Sequence, residues 1–434
     1  MKKLGKLWLF GFFTLILVLA TACSNDKGGT EKTEGTPKDE GGGSKEAVTL
    51  TIGSWRTEDT AKYEKVIAEF NKKNPDIKVE FKPSKNTEYN TILNTALQSG
   101  EGPDIIHLRP YAPGIALADA GYLEPLDGIA GLDAFPEAAL QASKGTDGKQ
   151  YGVPINMSTT QMFYNKKIFK DNGLKEPKTW DEFIKLAQTL KDKKIVPIAL
   201  GTKEGWLLSA AHGIFGPAHY GGNEFVDKIT KGETNFNSPE FVNSIKAMDE
   251  LKKFFPDNYE GLGMEDIRTL FATGTAAMFP MGSWEIEVVR GLNPDLEIGF
   301  FPMPSAVGKD ATITAWVDGS YAVNAKSKHK EEAKKFMEFL ATKDFATLFT
   351  NEFKMISAMP GVKSNDELVT GLSEAVEKIS TPYMMVVYFA GGNPTSKATL
   401  ETELQGMYLG KQTPEGVAKK VQENAETWFK PFQK

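Results

Sequence analysis

The sequence is poor in the residues that build disulfides and metal centres. Its 434 residues include one cysteine, Cys23, and four histidines. A single cysteine excludes an internal disulfide, so we expect the fold to depend on burial of an apolar core. His212 and His219 lie seven residues apart, but no cluster of cysteines or carboxylates accompanies them. The sequence therefore predicts no metal site and no cofactor.

Signature motifs of enzymes are missing too. The chain has no Gly-x-Ser-x-Gly, no His-Glu-x-x-His and no phosphate-binding Gly-x4-Gly-Lys-Ser/Thr, and Gly261-Leu262-Gly263 lacks the third glycine of a dinucleotide-binding loop. Glu285 and Glu287 form an acid pair of the kind that a retaining glycosidase uses, but acids at such positions are more often solvated charges. We therefore predict that the protein is not an enzyme, with a surface-anchored glycoside hydrolase as the less favoured alternative.

Positive charge is not in excess. The chain carries 51 lysines and arginines against 57 aspartates and glutamates, and residues 1–23 hold three of the lysines and no acid. A net negative protein lacks the basic face that nucleic acids require, so we exclude a nucleic-acid partner. A chain of 434 residues is too long for one comfortable core, which predicts two domains.

The first 23 residues have the pattern of a lipoprotein signal peptide. Lys2, Lys3 and Lys6 precede the apolar run Leu7–Ala20, which is short for a membrane span and of the length of a signal-peptide core. The run ends in Leu-Ala-Thr-Ala before Cys23, with small residues at −1 and −3. We predict cleavage before Cys23 and lipidation of its thiol; a secretory signal with a free thiol and an uncleaved anchor are the alternatives.

Residues 24–47 are rich in glycine, lysine, glutamate, threonine and aspartate and contain a Gly-Gly-Gly-Ser run. Such a composition buries too little apolar surface to offset the entropy of ordering. We predict a flexible linker that holds the folded part away from the membrane.

The folded part begins with an alternation of strands and helices. Strands are predicted at Val48–Ile52, Ile77–Phe81 and Pro103–Ile106, with helices from Thr60 and over Tyr89–Leu97 between them. This order is typical of a parallel sheet covered by helices. Ligands on such sheets bind at the carboxyl ends of the strands. The first wall of a binding crevice is therefore predicted from the residues that follow the first and third strands: Trp55, Arg56, Glu58, His107, Arg109 and Tyr111.

Residues 151–166 stand apart from an ordinary core strand. Gly152-Val153-Pro154 is an extended entry, since proline fixes φ and biases the preceding residue away from helix. Small polar residues follow, and the apolar run Met162-Phe163-Tyr164 closes the segment. We predict an extended crossing between two domains that passes through a hydrated place.

Tryptophans and charged residues supply the remaining candidates. Trp55, Trp206, Trp284 and Trp316 fall at predicted strand ends or in loops, where an indole stacks on the apolar face of a sugar ring; core packing is the alternative. Charged groups suit sugar hydroxyls because charge-assisted hydrogen bonds are strong. Arg56, Arg109 and Asp318 are the candidates of this kind together with Glu58, and solvated surface charge is their alternative.

The chain resembles the family-1 extracellular solute-binding proteins, the sugar-binding receptors of bacterial ABC importers. The resemblance rests on several motifs in the family's order: YGVP, STTQMFYNK and GLKEPKTWDEF in residues 151–183, with FNKKNPDIKVEF, GEGPDIIHL, GYLEPL, FATGTAAMFPMGSW and DGSYAVNAKSKHKEEAKKFMEFL elsewhere. Any one of these motifs alone is weak. Together they are specific and cover residues 48–434.

The resemblance implies an α/β fold of two domains, the type II periplasmic-binding-protein-like fold, with the ligand cleft between two lobes and three hinge crossings. The domains implied are a signal peptide (1–23), a linker (24–47), lobe I (48–155 and 321–357) and lobe II (156–320 and 358–434). Trp284 matches the family's sugar platform, and the second wall of the cleft is predicted from Ser158, Trp206, Trp284, Trp316, Asp318, Tyr383 and Tyr388.

The implied function is that of the substrate-binding lipoprotein of an ABC transporter. It captures an extracellular oligosaccharide by hinge closure and delivers it to the permease transmembrane subunits. The implied protein is a monomer, anchored at the extracellular face of the cell membrane through lipid on Cys23. A receptor for a peptide or an anionic solute is the alternative, although only Arg56 and Arg109 are available to an anion in the crevice.

Overall fold

The structure, a computed structural model, describes residues 48–433. The predicted signal peptide, Cys23 and the predicted linker lie outside the described residues. Residues 48–433 belong to one compact unit. Between residues 48 and 433, no helix combines the length and the apolar character that a bilayer span requires.

Ten strands form one sheet in this part of the chain. They are β1 (Val48–Ser54), β2 (Ile77–Pro83), β3 (Ile105–Leu108), β4 (Val153–Asn165), β5 (Val196–Ile198), β6 (Ala276–Gly282), β7 (Ile298–Phe301), β8 (Ile313–Val323), β9 (Ile356–Ser357) and β10 (Ser380–Pro382).

Helices cover the sheet. Within residues 48–433 they are α1 (Thr60–Asn71), α2 (Asn86–Ser99), α3 (Ala112–Asp119), α4 (Glu137–Gln141), α5 (Lys166–Asp171), α6 (Trp180–Asp192), α7 (Gly205–Tyr220), α8 (Asn223–Thr230), α9 (Pro239–Leu251), α10 (Met264–Ala272), α11 (Ile286–Leu292), α12 (Lys330–Leu340), α13 (Lys343–Phe353), α14 (Glu367–Ile379), α15 (Met384–Val387), α16 (Ser396–Tyr408) and α17 (Pro414–Glu426).

The strand order is β2-β1-β3-β8-β4-β6-β5, with β10 beside β8 and both β7 and β9 beside β4. The parallel pairing predicted for the first three strands is confirmed, since β1 is parallel to both β2 and β3. β8 then joins antiparallel to β3, and β4 antiparallel to β8. The sheet is therefore parallel at its first end and mixed beyond it.

Two large apolar cores lie along this sheet. The first core contains Leu50, Ile105 and Phe336, and the second contains Phe163 and Phe279, all at most 2% exposed. Residues from early and late parts of the chain contribute to each core. The predicted lobe boundaries stay predictions.

Three chain segments run side by side where the cores meet. β4 pairs with β8 from Val153↔Tyr321 to Thr160↔Thr314, and β9 pairs with β4 at Asn156 and Met157. The register of β4 shifts on both sides of Asn156, so the ladder has a β-bulge or a similar irregularity there.

The hydroxyl-rich part of β4 is closed off from bulk solvent. Ser158, Thr159 and Thr160 are all fully buried. Ser158 donates to Asp318 and Thr160 is hydrogen-bonded to Thr314, both on the neighbouring strand β8. The expectation of a solvent-exposed crossing is therefore wrong at these residues: β8 supplies polar partners to Ser158 and Thr160, while Thr159 Oγ1 has no partner among residues 48–433.

Three candidate residues lie in other elements than the sequence suggested. Trp206 was expected in a loop but lies in the first turn of helix α7. Trp316 lies inside strand β8 and is 5% exposed. His107 lies within β3 rather than after it. The strands and the helix are longer at these points than the local sequence pattern indicated.

Candidate functional site

The first wall of the site is a stack of aromatic rings that ends in a guanidinium group. The His107 ring is stacked on Tyr321, with centroids 4.5 Å apart, and on Trp55, with centroids 3.6 Å apart. Arg109 Cζ lies 4.3 Å from the centroid of the Trp55 ring. Two groups so close to one ring cannot share a face, so His107 and Arg109 cover opposite faces of Trp55. The indole therefore holds Arg109 in place by a cation–π contact.

Hydrogen bonds also hold the Arg109 guanidinium group at its edge. Arg109 Nε donates to Asn90 Oδ1 at 3.1 Å, and Nη2 donates to Asn86 Oδ1 at 2.5 Å. Burial lowers the pKa of Arg109, while the negative charges of Asp318 and Glu401 raise it. Asp318 lies on β8 and Glu401 on α16. A cation on the first wall thus faces two acids.

Tyr111 connects the loop after β3 to the strand that links the cores. Its hydroxyl accepts a hydrogen bond from the backbone N–H of Val317 at 3.1 Å, and its own N–H donates to the Ala142 carbonyl at 2.6 Å. Its φ of 63° is unusual for a residue with a side chain. These contacts hold Tyr111 in a strained conformation, as is common at functional sites.

An aromatic cluster forms the second wall. Trp284 and Trp316 meet edge to face with centroids 5.7 Å apart, and Trp316 contacts Tyr383 with centroids 4.9 Å apart. Trp284 is half-buried and packs against both cores. Its ring lies over Gly282, where a Cβ atom would stand 2.0 Å from Cζ3. Gly282 is therefore required for the position of this indole.

Asp318 is oriented by its neighbours on two strands. Ser158 Oγ donates to Oδ2 at 2.8 Å, and Trp316 Nε1 donates to Oδ1 at 3.0 Å. Asn156 Nδ2 donates in turn to Ser158 Oγ at 3.3 Å. Each carboxylate oxygen has one donor and retains capacity for another.

Trp206 and Tyr388, two further candidates for this wall, differ in their exposure to solvent. The Trp206 indole donates to Glu204 Oε2 at 2.9 Å and its ring is half-buried. Tyr388, directly after α15, is 39% exposed and lies within electrostatic reach of Tyr111. Tyr388 is thus among the exposed large side chains of residues 48–433.

Arg56 and Glu58, two predicted ligand contacts, are bonded to each other. Arg56 Nη1 lies 3.3 Å from Glu58 Oε1, and Nε lies 2.6 Å from Asp59 Oδ2. Burial lowers the pKa of Arg56, but Asp59 and Glu58 outweigh it and the pKa is raised. The Arg56 charge is therefore neutralised within its own loop.

A second ion pair lies close by. Glu285 is fully buried, and Arg268 binds it through two hydrogen bonds, Nε to Oε2 at 2.6 Å and Nη2 to Oε1 at 2.8 Å. Burial raises the pKa of Glu285, and Arg268 and Arg56 lower it, with a net rise. Glu285 follows Trp284 directly in the chain, so the ion pair anchors the backbone next to that residue.

The structure brings most candidate residues to the junction of the cores. Tyr111, Ser158, Trp284, Trp316, Asp318 and Tyr383 are joined there by the contacts given above, and Arg109 acts electrostatically on Asp318 from the first wall. Trp55 and His107 lie behind Arg109, and Arg56 with Glu58 forms the separate ion pair. Ser209, Lys397 and Glu401 lie beside Tyr383 and were not among the sequence candidates. A lysine and a glutamate four residues apart on a helix usually form a solvated surface pair.

Within the described residues, no group of three or more histidine, cysteine, aspartate and glutamate side chains could hold a metal ion. His212 Nε2 lies 2.8 Å from Ser244 Oγ, and His219 packs edge to face on Trp180. Both histidines thus have structural contacts in the second core.

Buried histidines predict a loss of stability on acidification. Burial lowers the pKa of His212 to about 3 and that of His219 to about 4, and it lowers the pKa of His107 well below its usual value. Below about pH 6.5 the unfolded chain therefore binds more protons than the folded one. Stability that is present above that pH is lost as the pH falls toward the histidine pKa values of the folded state. Urea unfolding should show a decline of up to about 1.4 kcal/mol per pH unit for each histidine.

His212→Gln provides the control for this slope, since glutamine can still hydrogen-bond Ser244 but does not titrate. The variant should show a shallower decline than the wild type. An unfolding free energy that stays constant between about pH 7.5 and about pH 5 would contradict the assignment.

A model of the bacterial extracellular solute-binding protein family matches residues 53–346. The chain belongs to that family. Its relatives include the multiple sugar-binding protein of Streptococcus mutans, which is 31% identical over 357 residues, or 79% of this chain and 80% of the relative. These proteins bind solutes for transport and are not enzymes as a family.

Solved structures of relatives agree with the fold. A chitin oligosaccharide binding protein superposes with a TM-score of 0.77 at 28% identity, over 89% of this chain and all of the other. RafE in complex with raffinose superposes with a TM-score of 0.75 at 24% identity, over 89% of this chain and all of the other, and supports the fold alone. The predicted two-lobed periplasmic-binding-protein fold is confirmed.

Proposed function

We propose that this protein is the receptor of an ABC importer and that it captures an extracellular oligosaccharide without changing it chemically. The convergence of Trp284, Trp316 and Tyr383 with Arg109 and Asp318 carries the proposal. Aromatic rings suit the apolar faces of sugar rings, and charged groups with spare hydrogen-bonding capacity suit hydroxyls. The names of the relatives from Streptococcus mutans and of the chitin oligosaccharide binding protein support the same class of ligand.

Closure of the two lobes is the proposed response to ligand. A ligand that contacts residues of both lobes binds the closed form more tightly, and it stabilises that form by the difference in affinity. The lobes proposed are residues 48–155 with 321–357 and residues 156–320 with 358–434. The closed form then delivers the bound sugar to the permease transmembrane subunits.

The charges favour a sugar over an anionic solute. Arg56 is neutralised by Glu58 and Asp59. Arg109 faces Asp318 and Glu401. An anion would bring further negative charge to a wall that already holds two acids, whereas hydroxyl groups both donate and accept.

We further propose that the mature protein is a monomer held at the extracellular face of the membrane by lipid on Cys23. Two acyl chains on a diacylglyceryl group give durable anchoring where one chain gives marginal binding. The intact mass of the protein from the membrane fraction should correspond to a chain that begins at Cys23 and carries lipid. A soluble product with a free thiol would contradict the anchor.

A thermal-shift screen tests the ligand class. Neutral mono- and oligosaccharides, anionic solutes and short peptides are compared at equal concentration, since a ligand that binds only the folded protein stabilises it by about 2.7 kcal/mol at a hundred times its Kd. We expect a neutral oligosaccharide to give the largest rise in melting temperature. A rise with anions or peptides only would reject the proposal, and a chemically altered sugar after incubation would indicate a hydrolase.

A further inference from the structure

The Tyr383 hydroxyl is buried without a hydrogen-bond partner. Tyr383 is 4% exposed, and within residues 48–433 no hydrogen bond of good geometry reaches its Oη atom, although the Ser209 side chain lies nearby. A Cβ atom at Gly213 would stand 2.9 Å from the Tyr383 ring, so a glycine in helix α7 makes room for the ring. A buried hydroxyl that lacks a partner costs free energy, and in folded proteins it usually marks a place for a water or a ligand.

The hydroxyl lies beside a carboxylate that has spare capacity. Ser209 lies near the Tyr383 hydroxyl, and its own Oγ donates to Glu401 Oε1 at 2.7 Å. Lys397, one turn earlier on α16, also bonds Oε1. Within residues 48–433, no hydrogen bond reaches Glu401 Oε2, and the Glu401 side chain is 18% exposed. One oxygen is therefore held in place while the other remains able to accept.

These groups lie on the ligand side of the second wall. Tyr383 contacts Trp316, whose indole is bonded to Asp318. Glu401 acts electrostatically on Arg109 of the first wall. The unused acceptor and the unpartnered hydroxyl thus lie next to the residues proposed to bind the sugar.

The charges around this position balance. Arg109 and Lys397 are cationic, and Asp318 and Glu401 are anionic. A charged solute would leave this set with an excess of one sign in a largely buried place, at a high cost. A neutral group that donates a hydrogen bond to Glu401 and forms another with the Tyr383 hydroxyl fits without that cost. Two neighbouring sugar hydroxyls form such a group.

We propose that Glu401 and Tyr383 are specificity-determining residues that read two neighbouring hydroxyl groups of a neutral sugar unit. Ser209 and Lys397 are positioning residues that orient the Glu401 carboxylate. This inference rests on the proposed sugar-binding function and adds to it the hydroxyl pattern that the site requires. A site built to bond a hydroxyl rejects an analogue that lacks it, because its own buried polar groups are left unpaired.

Calorimetric titration of the whole protein tests the assignment with the tightest sugar of the screen and its series of monodeoxy analogues. For the wild type, we expect one deoxy position to weaken binding at least tenfold. Glu401→Gln should bind the parent sugar about tenfold more weakly, since a hydrogen bond to a charged acceptor is replaced by one to a neutral amide. The affinity of Glu401→Gln for the deoxy analogue should then be at most threefold weaker than its affinity for the parent sugar, because the two changes remove the same contact.

Glu403→Gln is the matched control. It makes the same change two residues further along α16, about 200° around the helix, where Glu403 accepts from Gln412 Nε2 at 2.7 Å. It should leave sugar affinity within twofold. Tyr383→Phe retains the ring and removes only the hydroxyl, and it should weaken the parent sugar threefold or more. Ser209→Ala should reduce the ratio of affinities for parent and deoxy sugar, an effect that loss of stability alone would not produce.

The outcomes separate this inference from the function on which it rests. A wild type that binds no sugar overturns both. A wild type that binds sugar while Glu401→Gln and Tyr383→Phe keep its affinity and its discrimination overturns the assignment of these two residues and leaves the sugar receptor standing. Melting temperatures without ligand show that each variant is folded before it is titrated.

Discussion

Arg268→Met should lower the free energy of unfolding by about 3 to 5 kcal/mol. Arg268 is the bidentate partner of the Glu285 carboxylate, and Glu285 is fully buried. Methionine fills much of the volume but leaves the carboxylate charged and unpaired in an apolar place. Urea unfolding at neutral pH measures the effect as a shift of the midpoint.

The same arginine supplies its own control. Glu265 also pairs with Arg268, at 2.5 Å, but its side chain is 83% exposed. Glu265→Gln should cost less than about 1 kcal/mol because an exposed pair is solvated. If the two variants are equally stable, burial of Glu285 is not the cause of the effect.

Acidification should reduce the difference in free energy of unfolding between Arg268→Met and the wild type. The pKa of Glu285 is already raised by burial, and loss of Arg268 removes the main opposing influence and raises it further. A raised carboxyl pKa favours the protonated form in the folded state, so the destabilisation is present at high pH and fades as pH falls. The double variant Arg268→Met with Glu285→Leu should recover much of the stability, since it leaves no buried charge. A deficit that grows on acidification would contradict this account.

Trp284→Ala should weaken sugar binding about a hundredfold, which corresponds to about 2.7 kcal/mol. The indole is half-buried between the two cores and meets Trp316 edge to face. Alanine removes the proposed stacking surface and the contact that fixes Trp316. Calorimetric titration with the sugar found in the thermal-shift screen measures the loss.

Trp180→Ala distinguishes loss of the ligand contact from loss of stability. Trp180 is also half-buried, but it packs on Phe183 and His219 in the second core. This variant should lower the melting temperature and leave sugar affinity within twofold. Unchanged affinity in Trp284→Ala would remove Trp284 from the site.

The sequence predicted the regular elements best where local pattern and packing agree. Helix α1 begins at Thr60, as predicted, and buries Tyr63, Val66 and Phe70. Thr179 caps α6 by accepting from the Glu182 N–H. Helix α7 was missed because it contains Gly213, Gly216 and Pro217, which disfavour helix locally. The glycines are retained for space, since Gly213 adjoins Tyr383 and Gly216 adjoins His212 and Tyr220.

The site was predictable where side chains follow strand ends. Arg109 and Trp284 were predicted in this way; Trp284 packs against both cores, and Arg109 lies over the Trp55 ring. Pairing across the sheet could not be predicted from the sequence, so the hydrogen bond from Ser158 on β4 to Asp318 on β8 was not foreseen. Glu401 was missed for a related reason, because only the tertiary fold places α16 opposite Arg109.

The register shift at Asn156 has a mechanical consequence. β4 and β8 run without interruption through the place where the cores meet, so rotation of one core against the other must bend paired strands. A bulge leaves one residue outside the regular ladder and makes the strand easier to bend there. We propose that the backbone around Asn156 sets the pivot of lobe closure, so that the stiffness of this pivot contributes to ligand affinity from outside the contact surface.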